Sequence, residues 1–160
     1  MIETATGNLL EAPVEALVNA VNTVGVMGKG IALQFKKAFP ENFKVYEKAC
    51  KNGQLKLGEM LVVPVPQLTG TKYIINFPTK AHWRADSKIE SIETGLPALI
   101  AEVKTRGIRS IAVPALGCGN GGLEWSQVKP LIVAAFSELP EVHVYLYEPC
   151  EAPISGKDDK

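Results

Sequence analysis

Two glycine clusters mark places where the backbone could grip a ligand: Gly25-Val26-Met27-Gly28-Lys29-Gly30 and Gly117-Cys118-Gly119-Asn120-Gly121-Gly122. Glycine reaches positive φ without steric cost and lets a ligand approach the main chain closely. The first cluster runs into Ile31-Ala32 at the start of an apolar-periodic stretch. Free N–H groups at such a helix start would form an anion site, although the same glycines would also serve a tight strand-to-helix turn. A Walker A loop is excluded, because Gly30 follows Lys29 where Ser or Thr is needed and the upstream glycine spacing is wrong. The second cluster satisfies G-x-G-x-x-G but lies before the last helix and strand instead of in the first βαβ unit. Glu138, at about the expected acidic distance, falls at a helix end rather than on a strand tip, so a nicotinamide-dependent dehydrogenase fits weakly. Two such cradles in one small chain suit a diphosphate held from both sides.

Other reactive side chains are few. Taken alone, Lys80 reads as a solvated surface lysine, while Asn22 could orient a ribose through its amide or close its strand as an Asx turn. Cys118 has no histidine near it in sequence and reads as packing. His82 and Trp83 could stack on a nucleic-acid base, a contact worth about 1–3 kcal/mol per base, or pack their own loop. The run Lys80, His82, Arg84, Lys88 could meet phosphates or form a solvated helix edge. Three cysteines without CxxC spacing, and only two histidines, argue against a disulfide framework or a metal site.

These residues need elements to hold them. Val14–Val21 reads as a buried strand. Ile31–Phe39 has helical apolar spacing and stops at Pro40, and Glu41–Lys51 restarts as a second helix ending at Gly53. Met60–Val65 and Lys72–Phe77 read as strands. Ser87 is the expected N-cap of a long helix through Lys104, stopped by Gly107 and kinked or loosened at Pro97. Arg109–Val113 reads as a strand, Trp125–Leu139 as a helix and Val142–Tyr147 as a last strand. The alternation predicts an α/β layered domain with a largely parallel sheet.

Composition narrows the class. The chain of 160 residues fits one domain. Basic and acidic residues balance at 17 each, unlike the basic excess of a general nucleic-acid binder, so any DNA contact must be local. Apolar runs such as Leu131–Phe136 fall far short of the about 20 residues a membrane span needs. The N-terminus resembles no signal peptide, and a cytoplasmic location is expected.

Gly7-Asn8-Leu9-Leu10, Asn19-Ala20-Val21-Asn22, Gly28-Lys29-Gly30-Ile31-Ala32 and Gly117-Cys118-Gly119 together resemble a macrodomain over about residues 1–149. The resemblance implies a three-layer α/β/α fold with a mixed, largely parallel sheet, and residues 150–160 as a polar tail. Phe77-Pro78-Thr79-Lys80 and Gly117–Trp125 are similar to the branch holding terminal ADP-ribose–glutamate glycohydrolases and the DarG antitoxins of DarT/DarG systems. The likeness to DarG implies removal of ADP-ribose from thymidine bases of single-stranded DNA by a monomer without metal or cofactor. It also implies a DarT-type toxin as partner and, in full-length relatives, a further C-terminal region. A binding module without chemistry, or hydrolysis of a protein-linked glutamate ester, are the other activities of such domains.

The same resemblance implies residue roles. Asn8, with Leu9, stands where many macrodomains place an aspartate on the adenine amino group, and Asn19 is counted in the ADP-ribose site. Gly28, Gly30, Ile31 and Ala32 match the loop on the diphosphate and distal ribose, and Asn22 faces that ribose and counts with Lys80 as catalytic. Gly117, Cys118, Gly119, Asn120, Gly121, Gly122 and Leu123 match the second loop, with Asn120 near the ribose. Thr79 joins the site, and Lys80 matches the catalytic lysine. His82, Trp83 and Arg84 are candidate DNA contacts. The glutamate-specific enzymes carry an aspartate at the position of Gly121, and its lack here favours a DNA-base substrate. Acting as an amine, Lys80 would attack C1″ and open the ribose through a Schiff base, which needs its pKa lowered from about 10.4. Acting as an ammonium, it would assist the departing base.

Overall fold

The structure is a computed structural model that describes residues 1–66 and 70–149, with Asn120 described by its backbone only. The tail expected at 150–160 lies outside the described residues. Six strands form one sheet in the order β1-β6-β5-β2-β4-β3. They are β1 (Ile2–Ala5), β2 (Ala16–Asn22), β3 (Leu61–Pro64), β4 (Tyr73–Lys80), β5 (Ser110–Val113) and β6 (His143–Tyr147). All pair in parallel except β3 with β4.

Four helices cover the sheet: α1 (Gly30–Ala38), α2 (Pro40–Lys51), α3 (Ile89–Arg106) and α4 (Trp125–Phe136). Both faces of β2 are apolar, as a covered parallel strand requires. Ala16 and Val18 pack with Leu96 and Leu99 of α3 and Ile132 of α4. Leu17 packs with Phe35 of α1, and Val21 with Tyr46 of α2. The result is the layered α/β domain expected from the alternation, in the three-layer α/β/α form expected from the resemblance.

Where the elements differ from the sequence reading, long-range contacts explain it. No strand is legible in Ile2–Ala5, a half-exposed edge segment. It forms through pairing of Ile2 with Val144, and the terminal ammonium donates to Val142 O at 2.8 Å. β4 runs past Phe77 to Lys80. Its antiparallel ladder with β3 ends at Asn76, so Pro78, which has no N–H to give, stands where the strand has a partner on one side only. α3 runs as one helix through Pro97 and ends at Gly107, φ 65°. It begins at Ile89 with Lys88 as N-cap, not at Ser87. α4 stops at Phe136, and Leu139 enters the core from the following turn.

Candidate active site

The carboxyl ends of β2, β4 and β6 open into a cleft of about 1020 Å³, whose walls include Asn22, Lys80 and Tyr147. Small-molecule sites span roughly 300–1,000 Å³, so this one has room for a dinucleotide-sized ligand. Position at the carboxyl ends of parallel strands is where open α/β sheets bind ligands. Pairing between β2 and β4 slips by one residue after Val21, which sets Asn22 opposite Lys80.

The first glycine loop is held by Asn22, itself buried. Its Oδ1 accepts from the N–H groups of Val24 (3.1 Å), Gly25 (3.2 Å) and Val26 (3.4 Å) and from the Tyr46 hydroxyl (2.8 Å). Its Nδ2 donates to Val26 O at 2.8 Å. Tyr46 also lies within reach of Asn22 O, fully buried, and burial pushes its phenol far above the ordinary range. Met27 anchors the loop in the core. Lys29, the N-cap of α1, offers no side-chain cap. The first-turn N–H groups of Gly30, Ile31 and Ala32, which have no intrahelical partner, therefore belong to cleft-lining residues.

The second loop turns on positive φ at Gly117 (76°), Gly119 (67°) and Gly122 (83°). It is closed at its base by Leu123 N donating to Gly117 O at 2.9 Å. Gly117, Cys118, Gly119 and Gly121 line the cleft. Burial, with the Glu124 carboxylate nearby, pushes the Cys118 thiol up to about 11, so it is no thiolate nucleophile at neutral pH.

Between the loops lies the end of β4. Thr79 is buried and Lys80 half-buried, and both line the cleft. Lys80 has no hydrogen-bond or ion-pair partner among the described residues. The chain then turns over Ala81–Ala85, fastened by Thr23 Oγ1 donating to Ala81 O at 3.0 Å. His82 stacks on Trp83 with ring centroids 5.4 Å apart, and the Arg84 guanidinium sits 4.4 Å from the Trp83 ring centre. Trp83 stays 40% exposed at the cleft rim.

The Macro domain family model matches residues 18–132. The chain belongs to the macrodomain family. Its fold superposes on the macrodomain of Mycobacterium tuberculosis DarG with a TM-score of 0.93 and 56% identity, covering 94% of this chain and 99% of that one. It is 54% identical to a DNA ADP-ribosyl glycohydrolase of Thermus aquaticus over 96% of this chain, and spans 42% of the length of that relative. A Thermosipho africanus DarTG in complex with ADP-ribose matches with a TM-score of 0.86 and 38% identity, over 95% of this chain and 43% of that one.

Most of the candidate site residues meet in the cleft, and a few lie elsewhere. Asn19 does not line it. Strand alternation turns its side chain into the core beneath α2, where Nδ2 donates to Asn76 Oδ1 at 3.3 Å and the residue is fully buried. Gly122 and Leu123 also lie off the cleft wall. Leu123 packs beneath Gly117, and Gly122 faces Asp86. His82 stands behind Trp83 rather than in the wall. The Asn120 side chain lies outside what is described. Asn8 lines the cleft, but its Oδ1 already accepts from Leu10 N at 3.1 Å as the cap of a short 3-10 turn, so an adenine amino group would have to compete for that oxygen.

Tyr147, Glu148 and Ser87 also line the macrodomain cleft, although no binding motif includes them. Tyr147 and Glu148 were within reach of the rule that ligands sit at carboxyl ends of parallel strands. Hydrogen bonds from Trp125 Nε1 (3.2 Å) and Lys129 Nζ (3.1 Å) hold the Glu148 carboxyl below its ordinary pKa. Tyr46 carried no sequence signal, because its partner Asn22 is remote in the chain.

Proposed function

We propose that this macrodomain is a DNA ADP-ribosyl glycohydrolase that removes ADP-ribose from thymidine bases of single-stranded DNA. It acts as a cytoplasmic, monomeric antitoxin to a DarT-type DNA ADP-ribosyltransferase. The observation that carries the reading is Lys80, standing without a hydrogen-bond or ion-pair partner among the described residues in a cleft lined by both glycine loops. A binding module has no need of a lysine there. The names of its relatives support the same activity, and the ADP-ribose complex of one of them supports the ligand.

In this reading the diphosphate lies against the N–H groups at the start of α1 and the second loop. The distal ribose faces Lys80, and the attached base meets the exposed Trp83 with Arg84 beside it. Asn22 acts on the ribose through the loop it holds. The Lys80 amine attacks C1″ as the bond to the base nitrogen breaks, and the base takes up the proton the amine loses. Ring opening gives a Schiff base, which water hydrolyses to free ADP-ribose and lysine. Gly121 offers no carboxylate to the cleft, which favours a base over a glutamate leaving group.

The test offers the protein thymidine-linked ADP-ribose on single-stranded DNA and glutamate-linked ADP-ribose on a peptide. Release from DNA, abolished in Lys80→Ala, is expected. Release from the peptide alone would make it an ester hydrolase. Binding of ADP-ribose with release from neither would make it a reader.

A further inference from the structure

Ser87 is set where sequence expects a helix cap, yet it caps nothing. α3 begins two residues later and takes no side-chain cap. The hydroxyl is buried, and its oxygen has no hydrogen-bond partner among the described residues. A buried hydroxyl left unbonded costs free energy that an alanine would avoid. Packing therefore gives no reason for the oxygen, but position does. Ser87 lines the cleft, on the chain segment that begins with Lys80.

The second glycine loop is fitted around this side chain. Ser87 N donates to Gly121 O at 2.8 Å. A Cβ at Gly121 would stand 2.5 Å from Ser87 Oγ and 3.1 Å from its Cβ. Gly121 is not in the left-handed region, unlike Gly117, Gly119 and Gly122, so its backbone conformation does not demand glycine. What demands it is room for the serine. A Cβ at Gly117 would also crowd this residue, standing 3.3 Å from the Ser87 Cβ.

We propose that Ser87 Oγ is a ligand-binding donor of the cleft, giving its hydrogen bond to an oxygen of the group lodged between Lys80 and the second loop. Resting on the functional reading above, that oxygen belongs to the distal ribose or to the base attached to it. Gly121, flanked by Gly122 and close to Gly119, yields to let the oxygen reach the hydroxyl.

Ser87→Ala tests this by titration with free ADP-ribose, by kcat/KM on ADP-ribosylated DNA and by melting of the ligand-free protein. Loss of the bond weakens ADP-ribose binding roughly fivefold to tenfold if the acceptor is the ribose. If the acceptor is the base, affinity for ADP-ribose stays and kcat/KM on DNA falls by a similar factor. In both cases the ligand-free variant melts at or above the wild-type temperature, since an unbonded buried hydroxyl has gone. Wild-type affinity together with wild-type kcat/KM overturns the proposal. So does a lowered melting temperature with both unchanged, which would assign the hydroxyl a bond within the protein. Failure of the functional reading looks different: ADP-ribose binds but none is released from DNA, and the binding titration alone then decides for or against Ser87.

Discussion

At the scale of single residues, one amide does several jobs in this cleft. Asn22 gathers three backbone N–H groups and a phenol on its oxygen and returns a donor to Val26 O. The Asx-turn reading of this residue is what the geometry displays. Its part in catalysis, in our proposal, comes through the loop. Asn22→Ala leaves those donors unpaired and is expected to lower unfolding stability by about 2–3 kcal/mol, measured by urea denaturation. Tyr46→Phe removes one bond from the same node, so a loss of about 1 kcal/mol is expected, with weaker ADP-ribose binding seen by calorimetry. Unchanged affinity in Tyr46→Phe would show that α2 does not position the loop. Lys80 behaves oppositely. Among the described residues it has no partner to lose, so Lys80→Ala should abolish release from DNA while shifting stability by no more than about 0.5 kcal/mol. Borohydride reduction during turnover should trap a covalent adduct in the wild type and none in the variant.

Two elements approach so closely that glycine is compulsory, for different reasons. Gly117 sits at φ 76°, and a Cβ there would meet Leu123 Cδ1 at 2.6 Å. Strain and clash act together, and Gly117→Ala should cost about 1–3 kcal/mol and distort the second loop. Gly95 lies inside α3, where alanine would ordinarily improve helix propensity by about 1 kcal/mol. Here α3 presses on β4, and a Cβ would come within 2.5 Å of the Phe77 ring. Gly95→Ala is therefore expected to lower the melting temperature despite its better propensity, and a rise would mean that the helix can shift outward. Since β4 ends in Thr79 and Lys80, the same shift should also reduce release from DNA.

For the whole molecule, charge and architecture pull in separate directions. The chain has no net charge, so in our proposal attraction to DNA is local and comes from the segment that holds Arg84 at the cleft and Lys88 after it. Binding of modified single strands should weaken with salt on a shallow slope, because few phosphates are neutralised. Fluorescence anisotropy across a salt series checks this, and a slope near zero would remove the DNA contact. Free ADP-ribose should raise the melting temperature, adding about 2.7 kcal/mol at a hundredfold excess over Kd.

The glycine clusters, the strand–helix alternation and the motifs at Gly28–Ala32, Thr79–Lys80 and Gly117–Gly119 are local signals. They were enough to find the family, the layered fold and most of the cleft. Local spacing sets backbone freedom and periodicity, and these do not depend on distant partners. The tertiary structure alone decided what each side chain touches. It turned Asn19 into the core and Leu123 beneath its loop, and it joined Tyr46 to Asn22. It also took Ser87 off the helix and placed it among the residues lining the cleft, with its hydroxyl buried. Those outcomes depend on strand register, on the slip after Val21 and on packing between residues far apart in the chain.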